Sequence, residues 1–108
     1  MIFITLIPTR RNDGSAVSEA EQNAILTDLW NRFGGVTKEG LVEGHWIDTS
    51  DGKHYQDQSI KILVACESSR LREAEETVIE IGRQLDQRAM YFEVRYFDGV
   101  RFLDVPAN

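Results

Sequence analysis

Between Gly44 and Ala74 the chain passes from a polar, aromatic hairpin into buried sheet and then into a helix, and this succession constrains its fold more than any other feature. Gly-His-Trp-Ile-Asp leads to a turn at Thr-Ser-Asp-Gly and returns as Lys-His-Tyr-Gln-Asp-Gln-Ser. Ile60-Lys-Ile-Leu-Val-Ala-Cys66 follows, and a helix opens at Ser68/Ser69. In the returning strand, 53–66, Ile60, Ile62, Val64 and Cys66 share one face, with Leu63 and Ala65 on the other. The strand therefore enters the core only after Ser59. The hairpin tip stands clear or is covered by another subunit.

The flanking elements follow from the same periodicities. Residues 2–7 are β-branched and aromatic, which predicts a buried strand that Pro8 ends. Residues 9–15 are polar and include Asn-Asp-Gly, a loop signal. Ser18 followed by Glu21 is a capping box opening a helix whose apolar face is Leu26, Leu29, Trp30 and Phe33. Gly34-Gly35 ends that helix. Residues 41–48 read as a strand in which Glu43 and His45 share a face with Leu41 and Ile47. Leu71, Ala74, Val78, Ile81 and Leu85 form the stripe of a second helix, with Arg70 and Arg72 set against its dipole. Residues 90–97 read as a strand, Asp98-Gly99 as a two-residue turn, and 100–105 as a last strand before Pro106.

The order predicts an α+β fold, a ferredoxin-like split β-α-β (βαββαβ) with an extra C-terminal hairpin strand. Both helices cover one face of an antiparallel sheet. The other face, with Leu63, Tyr91 and Phe97, lacks a helical cover, which points to oligomerisation.

A chain of 108 residues forms a single domain, 1–108, large enough to fold without disulfides or metal. A net charge of −6 argues against nonspecific nucleic-acid or anionic-membrane binding. No apolar run reaches the roughly 20 residues needed to span a bilayer. The apolar N-terminus has neither a preceding basic residue nor a following small-residue cleavage site, and reads as a strand rather than a signal peptide. Cys66 reads as an inert thiol, and the expected location is cytoplasmic.

The chemistry-bearing residues concentrate on the hairpin. A turn centred on Asp51-Gly52 predicts Thr49 opposite His54 and His45 opposite Gln58. His45 and His54 then share one face two cross-strand steps apart, too far to grip one metal ion together. Trp46, Asp48, Tyr55 and Asp57 share the other face, where a carboxylate of raised pKa beside Trp46 would serve acid–base chemistry. Arg10 and Arg11, in the loop after the first strand, are candidates to hold an anion. No nucleophile motif or phosphate loop is present, so no catalytic residue, metal ligand or cofactor is assigned.

Trp46, Gly52-Lys53, Asp57 with Ser59, the apolar run 60–65 and Ser69-Arg70-Leu71 resemble the CutA and PII-like ferredoxin-fold families. The matching stretch is 46–73. The chain departs from CutA at Phe33-Gly34-Gly35-Val36 and at Asp86-Gln87-Arg88-Ala89. The resemblance implies this fold and a homo-oligomer, a trimer or dimer built through the extended hairpin. A small-molecule ligand would sit at the subunit junction.

A non-catalytic binding or regulatory module is the first expectation. A cofactor-free dimeric α+β-barrel enzyme is the second, with His45 or Asp48 as base in a pocket walled by Trp46 and Tyr91. A protein-interaction domain of a toxin–antitoxin or phage type, presenting the acidic helix around Glu73 and Glu80 to a basic partner, is the third.

Overall fold

The structure is a computed structural model that describes residues 1–96 and 101–107. The β-branched run at the start forms β1 (Ile2–Pro8). The capping box then launches α1 (Glu19–Phe33): Glu21 N–H donates to Ser18 Oγ at 3.1 Å, and Ser18 N–H donates back to Glu21 Oε1 at 3.3 Å. Gly34, at φ 89°, closes α1 in the left-handed conformation. The chain continues through β2 (Thr37–Ile47), β3 (His54–Ala65), a 3-10 turn (Ser68–Arg70), α2 (Leu71–Gln84) and β4 (Phe92–Arg95).

The four strands form one sheet in the order β2-β3-β1-β4, with every neighbouring pair antiparallel. Strand alternation sends Phe3, Ile7, Ile60, Ile62 and Val64 to one face. There they join Ile25, Leu26, Leu29 and Phe33 of α1 and Ala74, Val78 and Ile81 of α2 in one core, so both helices lie over that face. Phe3 is its centre, edge-on to Phe33 and stacked on Phe92. Thr5, fully buried on the same face, satisfies its hydroxyl by donating to the Tyr91 carbonyl at 2.6 Å.

The opposite face has no helix over it among the described residues. Ile4 is buried there, Ile2, Leu6 and Leu63 are half-buried, and Lys61, Glu93 and Arg95 flank them.

Several expectations need correction. Trp30 is 47% exposed, because Ile25, Leu26, Leu29 and Phe33 already define the buried stripe and Trp30 sits on its flank. The fourth strand is shorter than 90–97, ending at Arg95. The turn Asp98-Gly99 and its neighbours Phe97 and Val100 lie outside the described residues. Residues 101–105 form no strand: they are exposed and find no ladder partner among the described residues, and an unpartnered strand has nothing to hold it. The dipole conflict at Arg70 is resolved by tertiary contact. Its guanidinium donates twice to Glu73 at 2.8 Å, donates to the Arg32 carbonyl at the end of α1, and lies 4.6 Å from the Phe33 ring centroid. Arg70 thus ties the start of α2 to the end of α1.

Candidate functional site

The hairpin of β2 and β3 is longer than the sheet that supports it. β1 pairs with β3 only from Ser59 to Ala65. Below Ser59 the two strands continue as a pair alone, and residues 43–58 are exposed except for Asp48. The polar first half of β3 is therefore the half outside the core, as its composition requires.

Its register differs from the one a two-residue turn would set. Asp48 pairs with Lys53, its N–H donating to the Lys53 carbonyl at 3.0 Å, so the loop is 49–52. Two aspartates hold this longer loop. Asp48 Oδ1 accepts from the Ser50 N–H and hydroxyl, and Asp51 Oδ1 accepts from the Lys53 N–H. Gly52 supplies the positive φ of 69° that closes it. The consequence is that His45 opposes Gln56 rather than Gln58, and His54 opposes Ile47 rather than Thr49.

That shift brings the histidines together. They share a face, as alternation predicts, but as diagonal neighbours rather than two steps apart. His45 Nδ1 lies 2.8 Å from His54 Nε2, and the rings are near-parallel with centroids 5.0 Å apart. Glu43, two residues before His45 on the same face, bonds His45 Nε2 at 2.8 Å. Gln56 Nε2 donates to the other Glu43 oxygen at 2.7 Å. The hydrogen bond from His45 holds the Glu43 carboxyl below the usual glutamate range, with Gln56 adding to the effect. The result is a continuous surface chain, Gln56–Glu43–His45–His54. Glu43 and Gln56 were not singled out from the sequence as site residues, although the two-residue spacing of Glu43 and His45 was the available signal.

The opposite face carries the aromatics. Trp46 and Tyr55 are direct cross-strand partners, with stacked rings 4.8 Å apart. The Trp46 indole N–H donates to Asp57 Oδ2 at 2.7 Å, and the Tyr55 hydroxyl donates to Asp51 Oδ2 at 2.7 Å. The bond to Asp51 pushes the Tyr55 phenol pKa up. Asp48, expected to have a raised pKa, is corrected: the Ser50 hydrogen bonds hold it below the ordinary range, and the Arg88 charge adds to this. It is an ionised turn residue rather than a protonated acid.

The pocket imagined around His45 is also corrected. His45 and Trp46 are consecutive in a strand and point to opposite faces. Tyr91 precedes β4, at the other edge of the sheet from β2, and its hydroxyl donates to Glu93. Within one chain, Trp46, Tyr91 and His45 do not face one another. Among the described residues, one cavity of about 360 Å³ lies beside α2, against Ile79, Gly82, Arg88 and Met90, and another of about 310 Å³ lies between the helices at Asp28, Arg32 and Glu76.

The two arginines of the first loop serve the loop itself. Arg10 donates to the Gly14 carbonyl at 2.9 Å, and Arg11 pairs with Glu21 and donates to the Ala16 carbonyl. Arg11 is thus engaged within the loop and with α1, while Arg10 is exposed and commits one of its guanidinium nitrogens to the loop. Burial pushes the Cys66 thiol pKa up, which favours the unreactive form.

Compared with known proteins, the chain matches no family model and no curated protein.

Proposed function

We propose that this chain is a small, non-catalytic binding or regulatory module that assembles with copies of itself, as a dimer or trimer, through the β2–β3 hairpin. The supporting observation is the projection of residues 43–58 beyond the helix-covered sheet, exposed at every position but Asp48. A two-stranded hairpin alone is marginal in water and gains stability from a third strand or a packed face. β2 is an edge strand, whose unpaired backbone groups are a template for another chain. Leu41 and Ile47 on one face, and Trp46 on the other, are exposed apolar side chains without a cover.

The connections support a ferredoxin-like, CutA- or PII-like reading. α1 joins β1 to β2 across β3, and α2 joins β3 to β4 across β1, which interleaves two βαβ units. In this reading the ligand, a small molecule, sits at the subunit junction near Trp46, Tyr55 and Asp57. The acidic balance of −6 disfavours nonspecific nucleic-acid partners, the lone Cys66 suits a cytoplasmic module, and among the described residues no helix is long and apolar enough to cross a membrane.

The other two readings lose ground. The enzyme reading needs a pocket at His45 or Asp48; within one chain His45 lies on an open surface, and Asp48 accepts from Ser50 in the turn. In the interaction-domain reading α2 would offer fewer free charges than its composition suggests, since Glu73, Glu76 and Glu80 pair with Arg70, Arg72 and Arg83 and Glu75 remains exposed.

Absolute mass by light scattering tests the assembly. A mass of two or three chains supports it, and a further drop towards one chain in a Trp46→Ala, Ile47→Ala double variant places the contact on the hairpin. A single-chain mass at high micromolar concentration would overturn it.

A further inference from the structure

We infer that the paired imidazoles of His45 and His54 form a surface binding site for one borderline divalent transition-metal ion, of the zinc or copper class, within a single chain. Both ligands come from one chain, on the hairpin face that also carries Leu41 and Ile47. His45 Nδ1 and His54 Nε2 already converge to 2.8 Å. Two nitrogens on one tetrahedral zinc, each about 2.0–2.1 Å from the metal, stand roughly 3.3 Å apart. The rings must separate by about half an ångström to admit the ion. Both histidines are exposed and at the free end of a hairpin, so side-chain rotation supplies that distance without disturbing the core.

The arrangement around His45 is what a metal-ligating histidine requires. Glu43 Oε2 lies 2.8 Å from His45 Nε2, and in the neutral-ring tautomer that donates to this carboxylate Nε2 carries the proton. That leaves the lone pair on Nδ1, the atom that faces His54. A carboxylate fixing the tautomer and orientation of a histidine from its far nitrogen is the usual support for an imidazole ligand. Gln56 holds that carboxylate in turn, through its other oxygen. With that tautomer of His45, His54 Nε2–H is the donor of the bond between the rings in the metal-free chain. On binding, the His54 proton resides on its Nδ1 and Nε2 becomes the second ligand.

Two imidazoles select ions of this class over calcium or magnesium, which prefer oxygen. Among the described residues no cluster of three or more His, Cys, Asp and Glu is placed to hold a metal. The protein thus supplies two ligands, and water completes the shell on the exposed side. Such a site binds and releases its ion readily, and suits exchange rather than permanent structure.

The test uses Zn²⁺ alone, titrated into the full chain by calorimetry, with imidazole ¹⁵N spectra followed in parallel. The expected result is one Zn²⁺ per chain, with the His45 Nδ1 and His54 Nε2 resonances both shifted. His45→Ala and His54→Ala should each weaken binding at least tenfold. Glu43→Gln should keep the stoichiometry and weaken binding about 10–100-fold, the effect typical of a supporting carboxylate. Circular dichroism of each variant confirms that the fold is retained, as expected for exposed positions. Binding unchanged in His54→Ala, or one Zn²⁺ per two chains, would overturn the single-chain pair, as would no shift of either ring nitrogen.

Discussion

Trp46 and Tyr55 stack across the β2–β3 ladder, their rings 4.8 Å apart and inclined by 20°, on the face opposite the histidine pair. The indole is pinned by Asp57 and the phenol by Asp51, so both rings are held although Trp46 is 48% exposed. Rigid amphipathic aromatics of this kind make effective contact surfaces at low entropic cost. In the proposed assembly, Trp46→Ala should therefore weaken self-association at least about tenfold, the effect of truncating an aromatic anchor. Sedimentation equilibrium of the variant checks this, and an unchanged association constant would remove Trp46 from the interface.

Gly82 sits where α2 meets Met90. A Cβ built there would lie 2.6 Å from Met90 Cγ, well inside contact distance. Gly82→Ala is expected to destabilise the protein by about 1 kcal/mol, because the overpacking exceeds the gain in helix propensity. Met90 is flexible and only half-buried, so the conflict belongs to this one side chain. In a Met90→Ala background the same Gly82→Ala change should become stabilising by about 0.5–1 kcal/mol. Urea denaturation of the four proteins forms the double-mutant cycle, and additive effects would show that Met90 is not the obstacle.

The local signals in the sequence were sufficient wherever the structure is decided locally. The β-branched, aromatic run of β1, the Ser18–Glu21 capping box and the stripe at Ala74, Val78 and Ile81 all specify their own elements. Alternation also placed His45 with His54 and Trp46 with Tyr55 and Asp57. The register of the hairpin was not legible from Asp51-Gly52, because side-chain bonds from Asp48 and Asp51 stabilise a longer loop. A shift of that kind changes partners without changing faces, and it decides whether two histidines touch. Arg70 was illegible for another reason. Its role depends on Arg32 and Phe33, which reach it only through the packing of two helices.

The capping box offers a direct check on α1. Ser18 Oγ accepts the Glu21 N–H, one of the four amides at a helix start that have no partner within the helix. Ser18→Ala should cost about 1 kcal/mol, and Ser18→Asp should retain most of the stability because it can accept the same bond. Thermal unfolding of both variants distinguishes a capping role from a packing role, in which the two would behave alike.

The bond between Arg70 and Glu73 predicts an acid-sensitive contribution to stability. Hydrogen bonding to the Arg70 guanidinium, aided by its charge, holds the folded Glu73 carboxyl below its ordinary value of 4.5. A carboxylate whose folded pKa is depressed stabilises the native state fully above the unfolded value. That contribution falls as pH drops below about 4.5 and is lost as the pH passes through the lower folded value. Arg70→Gln removes the cation and returns the folded pKa towards the unfolded one. The variant should be less stable than the parent at pH 7, and the gap should narrow progressively below pH 4.5. Denaturation midpoints measured from pH 7 to pH 2 test this. A gap that stayed constant across the range would assign the loss to the Arg32 carbonyl bond and the Phe33 contact rather than to Glu73.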